Sequence, residues 1–491
     1  MKKSSLWLSA LGALGAAIAL AGCGQTQYFA GRTLPPSGLR NRVLVAIQNP
    51  SVASKGALEI LDAYYDIRYK YNDTNTTFSI GGYSGALPVT IQNMPEEQVG
   101  AIYGSGDGSL TLADYEKESS SGAEKGLNGL SSSVFITRNR SFIFSASQPN
   151  HIMTVVDSGI PYALSLPGIY RVSVNPGGSA ALAFVENSNY IYYPVKLNAA
   201  QTLAYSGGSG SWPKAAVDCA PQNAPAWCLF QAQSPDAVDA TGTSYGAPLA
   251  FDRPVKAVFS NDGNTAYVLN CGAECGGTAS SIALLPVGPM IFTQNQGSGV
   301  LPCNQAAVAP CPNAKSAPYT SISTPGGASN ALIASSTMYV VGQQLLPDGL
   351  FTGNLTIVNL TNNSAAAPIA ISDGAPGAMS RIIQADDNTL WIGMTKCTNG
   401  ERYAKGQPYG CLTMFNTASN TVAMIEPYQG DATGIAAVTS LHKVYVAEGG
   451  QVYVYATTDG RALNNQYVTV TGTAWDVAYM DGNSDANNTV Y

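Results

Sequence analysis

Short runs of alternating apolar and polar residues recur along this chain, separated by turns rich in Gly, Asn, Asp and Ser. In the clearest example Pro254–Phe259 alternates as a strand, Ser260–Asn264 has turn composition, and Thr265–Asn270 alternates again. A further apolar run, Ser281–Pro286, follows after a Gly-rich connection. The pattern predicts successive antiparallel strands and contains no helical period.

This three-strand set repeats, and its third strand is the easiest to follow because it ends on Asp, Asn or another small residue. The copies are Ala57–Asp62, Ser109–Asp114, Ile152–Asp157, Tyr190–Val195, Ser281–Pro286, Asn354–Asn359, Cys411–Asn416 and Gln451–Ala456. A second strand precedes every copy, but a first strand precedes only the last seven, and the missing one lies at the other end of the chain in Trp475–Tyr479. A repeat of about 40 to 50 residues built from strands and turns is typical of a β-propeller. We therefore predict an all-β fold, a single β-propeller of eight blades whose C-terminal strand completes the first blade; the count is seven if Tyr170–Val195 is an excursion.

The stretch Arg253–Asn270 resembles the YVTN-type propeller repeat, a relative of the NHL and WD40 repeats of secreted and surface proteins. Val99–Asp114 and Thr389–Asn416 are fainter copies, and together the copies cover most of Val43–Tyr479. Several turns depart from the pattern by lacking Asp-Gly, as in Asn175–Gly178. The resemblance implies the fold but not the function, since such rings serve as binding platforms, surface-layer components, lactonases and assembly factors.

The first 22 residues have the organisation of an export signal, with Lys2 and Lys3 followed by the apolar run Leu6–Leu20. The sequence Leu20-Ala-Gly-Cys23 is similar to the lipobox of bacterial lipoproteins, which implies cleavage before Cys23 and a lipid on its thiol. Membrane contact is then expected through this lipid alone. Because Gly24 is not the Asp that retains enteric lipoproteins in the inner membrane, we expect an extracytoplasmic protein anchored in the outer membrane, on its periplasmic face or at the cell surface.

Residues 23–41 are rich in Gly, Pro and polar side chains and predict a flexible tether carrying the lipidated Cys23. The propeller is expected to occupy residues 42–491, with insertions near residues 198–252 and 287–327 that each contain a pair of cysteines.

Once Cys23 is assigned to the lipid, the other eight cysteines form close pairs. These pairs are Cys219 with Cys228, Cys271 with Cys275, Cys303 with Cys311, and Cys397 with Cys411. An even number in an exported chain predicts disulfides, although spacing alone does not fix their connectivity. A zinc site is disfavoured because no Cys-x-x-Cys occurs and only two histidines, His151 and His442, are present.

Charged residues make up only 11% of the chain and the net charge is −7. No basic cluster beyond the export signal is large enough to follow a phosphate backbone, so nucleic acid is not an expected partner. The expected partners are an envelope protein or a glycan, bound by a monomer, and no cofactor is predicted apart from a divalent cation under the enzyme hypothesis below.

Two acidic pairs are the candidates for catalysis. Glu96 and Glu97 follow one predicted first strand, and Asp386 and Asp387 follow another, so both pairs could face one rim of the ring. A propeller lactonase would use such carboxylates with a divalent cation, whereas the alternative is that all four are solvated turn residues.

A second candidate metal site lies near the C-terminus, where Asp481, Asn483 and Asp485 place oxygen donors at alternating positions. This run resembles the start of a calcium loop but lacks the Gly at its sixth position and the Glu at its twelfth, so a polar tail is the alternative.

The sequence favours a non-catalytic binding or scaffolding lipoprotein over an enzyme, because it contains a predicted anchor and a rigid repeat but no convergent catalytic set. A metal-dependent lactonase or hydrolase is the first alternative. An outer-membrane assembly factor is the second, by analogy with eight-bladed lipoproteins whose Trp-rich repeat the five tryptophans here do not reproduce.

Overall fold

A computed structural model describes most of the chain from Arg32 to Gly482. The described residues are 32–49, 51, 55–70, 73–121, 127, 129–199, 202, 216–220, 226–234, 247–292, 320–372, 380–397, 402, 404–406, 409–426, 430–463 and 467–482. The candidate site and disulfide residues that lie outside these ranges are Cys23, Cys303, Cys311, Asn483 and Asp485. No helix among the described residues has the length and apolar character that crossing a membrane requires.

Eight antiparallel sheets follow one another along the chain as the blades of a β-propeller, which confirms the predicted fold and blade number. Blade 1 contains β1 (Arg42–Gln48), β2 (Gly56–Asp62), β3 (Tyr69–Lys70) and β4 (Asp73–Ser79), and blade 2 contains β5 (Pro88–Met94), β6 (Val99–Gly104), β7 (Leu110–Asp114) and β8 (Ser119–Ser120). Blade 3 contains β9 (Ser133–Ile136), β10 (Phe142–Ser147), β11 (Ile152–Asp157) and β12 (Ile160–Ser165). Blade 4 contains β13 (Ile169–Val174), β14 (Ala181–Val185), β15 (Ile191–Lys196), β16 (Ala216–Ala220) and β17 (Trp227–Gln231).

Two short strands, β18 (Gln233–Ser234) and β19 (Ala247–Pro248), pair with each other between blades 4 and 5. Blade 5 contains β20 (Pro254–Phe259), β21 (Thr265–Asn270), β22 (Ser281–Pro286) and β23 (Thr320–Ser323), and blade 6 contains β24 (Asn330–Ala334), β25 (Thr337–Leu345), β26 (Phe351–Asn359), β27 (Ser364–Ala365) and β28 (Ile369–Ser372). Blade 7 contains β29 (Ser380–Gln384), β30 (Thr389–Met394), β31 (Leu412–Asn416) and β32 (Thr421–Glu426). Blade 8 contains β33 (Ala432–Val438), β34 (Lys443–Glu448) and β35 (Gln451–Ala456), while β36 (Thr473–Tyr479) returns to blade 1. Short 3-10 helices span Pro95–Glu97, Gly272–Cys275, Gly288–Met290 and Thr439–Leu441.

The ring closes as predicted, because β36 pairs antiparallel with β1 and so supplies the first strand of blade 1. Val43 lies opposite Tyr479 and Val45 opposite Val477 in this ladder. The two ends of the repeat therefore share one sheet, and β1 is paired on both of its edges, with β2 and with β36.

The weakest sequence copy, Tyr170–Val195, is a complete blade formed by β13, β14, β15, β17 and β16 in that spatial order. Its outer strands β17 and β16 lie within the segment interpreted as an insertion at residues 198–252. They belong to the blade because Trp227–Phe230 is fully buried and packs in its core. A disulfide joins Cys219 of β16 to Cys228 of β17.

Apolar side chains from the faces of neighbouring sheets form the core, so each cluster joins two or three blades. One cluster, for example, combines Leu390 and Trp391 of blade 7 with Val444 and Val446 of blade 8. Burial of both faces explains why the second strands are nearly continuous apolar runs and not strictly alternating ones.

Residues 32–41 pack against the ring, in contrast to the flexible tether predicted for residues 23–41. Arg32 donates hydrogen bonds to the backbone oxygens of Pro95 (3.0 Å) and Gly482 (3.2 Å). The Ser37 hydroxyl donates to Glu118 at 2.6 Å. These polar side chains find fixed partners on blades 1 and 2, which low apolar content alone did not reveal.

The two faces of the ring carry different turns. Neighbouring strands within a blade are antiparallel, so the turns after first and third strands lie on one face, called the front face here. The turns after second strands lie on the opposite, back face. The docked residues 32–41 contact blade 2 at its two front-face turns, through Pro95 and Glu118.

Candidate functional site

A cluster of two aspartates and a histidine lies on the front face between blades 7 and 8. Asp386 and Asp387 occupy the turn from β29 to β30, and His442 occupies the equivalent turn from β33 to β34. His442 Nδ1 lies 2.6 Å from Asp386 Oδ2 and 3.0 Å from Asp387 Oδ2. The structure thus joins one of the predicted acidic pairs to a histidine that the sequence analysis did not connect with it.

The cluster is held by backbone geometry as well as by its side chains. Asp387 and His442 both adopt left-handed conformations, with φ of 55° and 53°, which aspartate and histidine tolerate better than most residues. The Thr457 hydroxyl, from the front-face turn after β35, donates a 2.6 Å hydrogen bond to Asp387 Oδ2. Thr457 itself is fully buried, so it holds the Asp387 carboxylate from the interior side.

The three groups respond differently to their surroundings. The hydrogen bond to Asp387 and the charge of Asp386 raise the pKa of His442 and favour the imidazolium ion. The Thr457 hydrogen bond lowers the pKa of Asp387, whereas burial raises the pKa of Asp386. Both oxygens of the Asp386 carboxylate are buried without a hydrogen-bond donor among the described residues, so its contact with His442 is an ion pair only.

Two exposed tyrosines continue this surface onto blade 1. Tyr64 and Tyr65 lie in the turn after β2, are 62% and 44% exposed, and have ring centroids 4.9 Å apart in a T-shaped arrangement. Lys443, next to His442 in the sequence, binds Asp66 at 2.8 Å and the Tyr64 carbonyl at 3.3 Å. These contacts fix the tyrosine turn against the blade 1 side of blade 8, whereas His442 contacts blade 7 on the other side.

The name blade 8 patch is used below for the set Tyr64, Tyr65, Asp386, Asp387 and His442. Adjacent tyrosines in a turn are visible in the sequence, but the contact of their turn with Lys443 depends on closure of the ring between blades 8 and 1. Sequence reasoning therefore missed the tyrosines as part of a site.

The other predicted acidic pair does not join the blade 8 patch. Glu96 lies on the same face in blade 2, where it forms a 3.2 Å ion pair with Arg138 of blade 3, and Glu97 is exposed next to it. Among the described residues, the groups with metal-ligand spacing include neither glutamate.

The C-terminal calcium-like run begins in a buried ion pair. Asp481 accepts hydrogen bonds from Arg42 at 2.6 and 3.1 Å, so its carboxylate is already engaged. Asn483 and Asp485 lie outside the described residues, and a calcium site there stays a prediction.

Three of the four predicted disulfides are present. They are Cys219–Cys228, Cys271–Cys275 and Cys397–Cys411. Asp431 lies near the sulfurs of Cys397 and Cys411, but disulfide sulfurs are not thiolates and do not form a metal site. Disulfides are typical of proteins in oxidising compartments.

The fourth predicted disulfide, between Cys303 and Cys311, is not tested by the structure. Cys303 lies outside the described residues, and Cys311 lies outside them as well. The pairing of Cys303 with Cys311 therefore stays a prediction.

One oxygen of each aspartate and Nδ1 of His442 lie within 4.8 Å of one another, a spacing that a single metal ion could bridge. Two carboxylates and an imidazole are suitable ligands for Mn²⁺ or Zn²⁺. The same geometry is also satisfied by the ion pair between His442 and the two carboxylates.

No protein-family model and no curated protein matches the chain. Several solved structures are similar in backbone arrangement. The periplasmic gluconolactonase of Pseudomonas aeruginosa is 13% identical with a TM-score of 0.41, covering 89% of this chain and 98% of that one. A putative 6-phosphogluconolactonase from Bacteroides uniformis is 10% identical with a TM-score of 0.44, covering 89% and 99%. A β-propeller domain from Myceliophteria thermophila is 10% identical with a TM-score of 0.41, covering 79% and 98%. Likeness at this level carries no argument about activity.

Proposed function

We propose that this protein is a lipid-anchored, extracytoplasmic binding platform that holds a glycan of the cell envelope against the blade 8 patch. The observation that carries the proposal is the exposed pair Tyr64 and Tyr65, which lies on the same face of the ring as the cluster of Asp386, Asp387 and His442. The anchor is the lipid expected on Cys23, and the disulfides support an extracytoplasmic location.

The chemistry of the patch suits a sugar. An aromatic ring offers an apolar face to the C–H groups of a pyranose and a hydroxyl at its edge. Carboxylate and imidazole groups beside the rings would bond the sugar hydroxyls. Protein interfaces, in contrast, are depleted of charged residues at their centre, whereas this patch is mostly ionisable.

The proposal is tested by co-sedimentation of the full-length chain, purified in mild detergent, with peptidoglycan sacculi and with lipopolysaccharide vesicles. We expect saturable binding to one of them that weakens at least about 10-fold in the double variant Tyr64→Ala/Tyr65→Ala, as for paired aromatic contacts at a binding centre. Tyr190→Ala is the matched control, because Tyr190 is 37% exposed on the back face. Equal binding by both variants, or no binding to either glycan, would overturn the proposal.

A second candidate function, metal-dependent hydrolysis, is favoured by the two carboxylate oxygens of Asp386, which have no hydrogen-bond donor among the described residues. One oxygen from each of Asp386 and Asp387 and Nδ1 of His442 would hold a divalent cation, which would act as a Lewis acid on a lactone or ester carbonyl. Because the pKa of His442 is raised, proton and metal would compete for Nδ1, so binding should strengthen as the pH rises above the pKa of His442.

Equilibrium dialysis of the full-length chain against Mn²⁺ or Zn²⁺, followed by elemental analysis, tests this second function. Stoichiometric metal that is lost in Asp387→Asn and retained in Glu97→Gln, together with lactone hydrolysis that depends on that metal, would support it. Metal-free protein, or metal retained in Asp387→Asn, would leave the cluster as an ion pair within the glycan-binding patch.

A further inference from the structure

The strand register places one residue of every blade at the same level around the axis of the ring. Each lies within the first four positions of an innermost strand and opposite the fourth or fifth residue of the second strand, as Arg171 lies opposite Phe184 and Lys256 opposite Leu269. In blade order the eight residues are Asp476, Thr90, Ser133, Arg171, Lys256, Asn330, Arg381 and Gly434. This set is called the axial ring below.

The side chains of the axial ring run sideways from one innermost strand to the next. Arg171 Nη1 lies 3.5 Å from the carbonyl oxygen of Val255, and Arg381 Nε donates to the carbonyl oxygen of Thr433 at 2.9 Å. Lys256 Nζ donates to Asn330 Oδ1 at 2.8 Å. These polar atoms therefore connect the innermost strands of neighbouring blades.

Charge is distributed unevenly around the axial ring. Its three cations, Arg171, Lys256 and Arg381, belong to blades 4, 5 and 7, whereas its one acid, Asp476, belongs to blade 1. Asp476 accepts hydrogen bonds from the backbone amides of Ile91 (2.7 Å) and Val477 (2.9 Å), on the innermost strands of blades 2 and 1. Half of the ring is thus strongly positive.

Lys256 is a buried cation whose side-chain hydrogen bond goes to a neutral group. Its side chain is only 7% exposed, and it donates its hydrogen bond to the neutral amide of Asn330. Burial and the charges of Arg171 and Arg381 lower the pKa of Lys256 well below its usual value. Among the described residues, no carboxylate lies within ion-pair distance of Lys256, and an ammonium group buried in this way is stable only with a negative partner.

We propose that the axial ring binds a small-molecule oxyanion, a compound with carboxylate or phosphate groups, between Arg171, Lys256 and Arg381. Guanidinium groups bind both kinds of oxyanion through paired N–H donors, and Lys256 contributes a point charge between them. Arg171 is partly exposed and offers the approach from solvent. This site is separate from the blade 8 patch and goes beyond the proposed glycan binding, so either can fail without the other.

The test measures thermal unfolding and isothermal titration of the full-length chain with inorganic phosphate and with citrate, against sodium chloride of equal ionic strength. We expect one of the two anions to raise Tm in the wild type, and Lys256→Met and Arg171→Gln each to weaken its binding at least about 10-fold. Lys117→Met is the control, since Lys117 is an exposed lysine paired with Asp114 on blade 2. Phosphate-selective or citrate-selective binding assigns the class of ligand.

Stability in the absence of anion separates a loss of the binding site from a loss of structure. In anion-free buffer Lys256→Met should be at least as stable as the wild type, because it removes an uncompensated buried charge and keeps the volume. Three results would overturn the proposal. They are an anion effect that is the same in the wild type, Lys256→Met and Arg171→Gln, no effect of either anion on the wild type, and Lys256→Met that is less stable than the wild type without anion.

Discussion

Arg42 shows at the scale of one residue how the closed ring is fastened. Its guanidinium binds Asp481 at 2.6 Å and Glu118 at 2.9 Å, and all three side chains are buried. Arg42 begins β1, Asp481 follows β36 and Glu118 belongs to blade 2, so one ion cluster joins both ends of the propeller to the neighbouring blade.

Replacement of Arg42 by methionine is predicted to be severely destabilising. It keeps most of the side-chain volume but leaves two buried carboxylates without a cation, a loss of about 3–5 kcal/mol in the free energy of unfolding. Urea denaturation measures this loss in the free energy of unfolding. Arg461→Met is the control, because Arg461 is exposed and pairs with Asp459. A loss below about 1 kcal/mol would mean that the cluster does not fasten the ring.

At the scale of the element, strands and turns follow from local sequence, whereas the contacts that make sites do not. The predicted and observed strands agree at Pro254–Phe259, Thr265–Asn270 and Ser281–Pro286, because apolar periodicity and turn residues act over a few positions. The sequence also located Asp386 and Asp387 at a front-face turn. It could not pair them with His442, 55 residues beyond Asp387, because that contact depends on how blades 7 and 8 pack.

The axial ring illustrates the same limit. Arg171, Lys256 and Arg381 look like ordinary polar members of three separate strands, each followed by apolar residues. Only the common register of the innermost strands places them at one level around the axis. An alignment of the eight repeats within the chain would have aligned these eight positions. That their charged members lie on neighbouring blades becomes evident only when the ring is closed.

The connection from β21 to β22 contains an acid whose ionisation opposes folding. Burial raises the pKa of Glu274 from 4.5 to about 7, although its carboxylate accepts a 3.0 Å hydrogen bond from the backbone N–H of Gln343 in blade 6. Between those two pH values the folded state binds more protons than the unfolded state, so stability falls as the pH rises.

Glu274→Gln is therefore predicted to remove part of the pH dependence of stability. The amide keeps an acceptor for Gln343 but does not ionise, so above pH 7 the variant should be more stable than the wild type by up to roughly 3 kcal/mol. Below about pH 4.5 the two should be alike. Urea denaturation from pH 4 to 8 measures the difference, with Glu97→Gln as the exposed control. A constant difference at every pH would contradict the assignment.

At the scale of the whole molecule, the docked N-terminal segment predicts how the ring is oriented relative to the membrane. Arg32 is fixed at the front face, and only eight residues lie between it and Cys23, so the segment reaches about 30 Å when fully extended. A lipid on Cys23 would hold the front face towards the membrane, so a glycan at the blade 8 patch would lie on the membrane side of the ring.

This orientation is testable in vesicles that contain spin-labelled lipids. A fluorophore on Tyr64→Cys, at the front face, should be quenched several-fold more strongly than one on Tyr190→Cys, at the back face. The same labels in a Cys23→Ser background should show no quenching at either position. Stronger quenching at position 190 would mean that the back face lies towards the membrane.

The central claim, that the blade 8 patch is the glycan-binding surface, is tested most directly by hydrogen–deuterium exchange with and without lipopolysaccharide or peptidoglycan fragments. The account predicts added protection in the front-face turns that contain Tyr64, Asp387 and His442, and unchanged exchange in the back-face turn that contains Tyr190. Protection confined to back-face turns, or no change in the three front-face turns at saturating glycan, would contradict it.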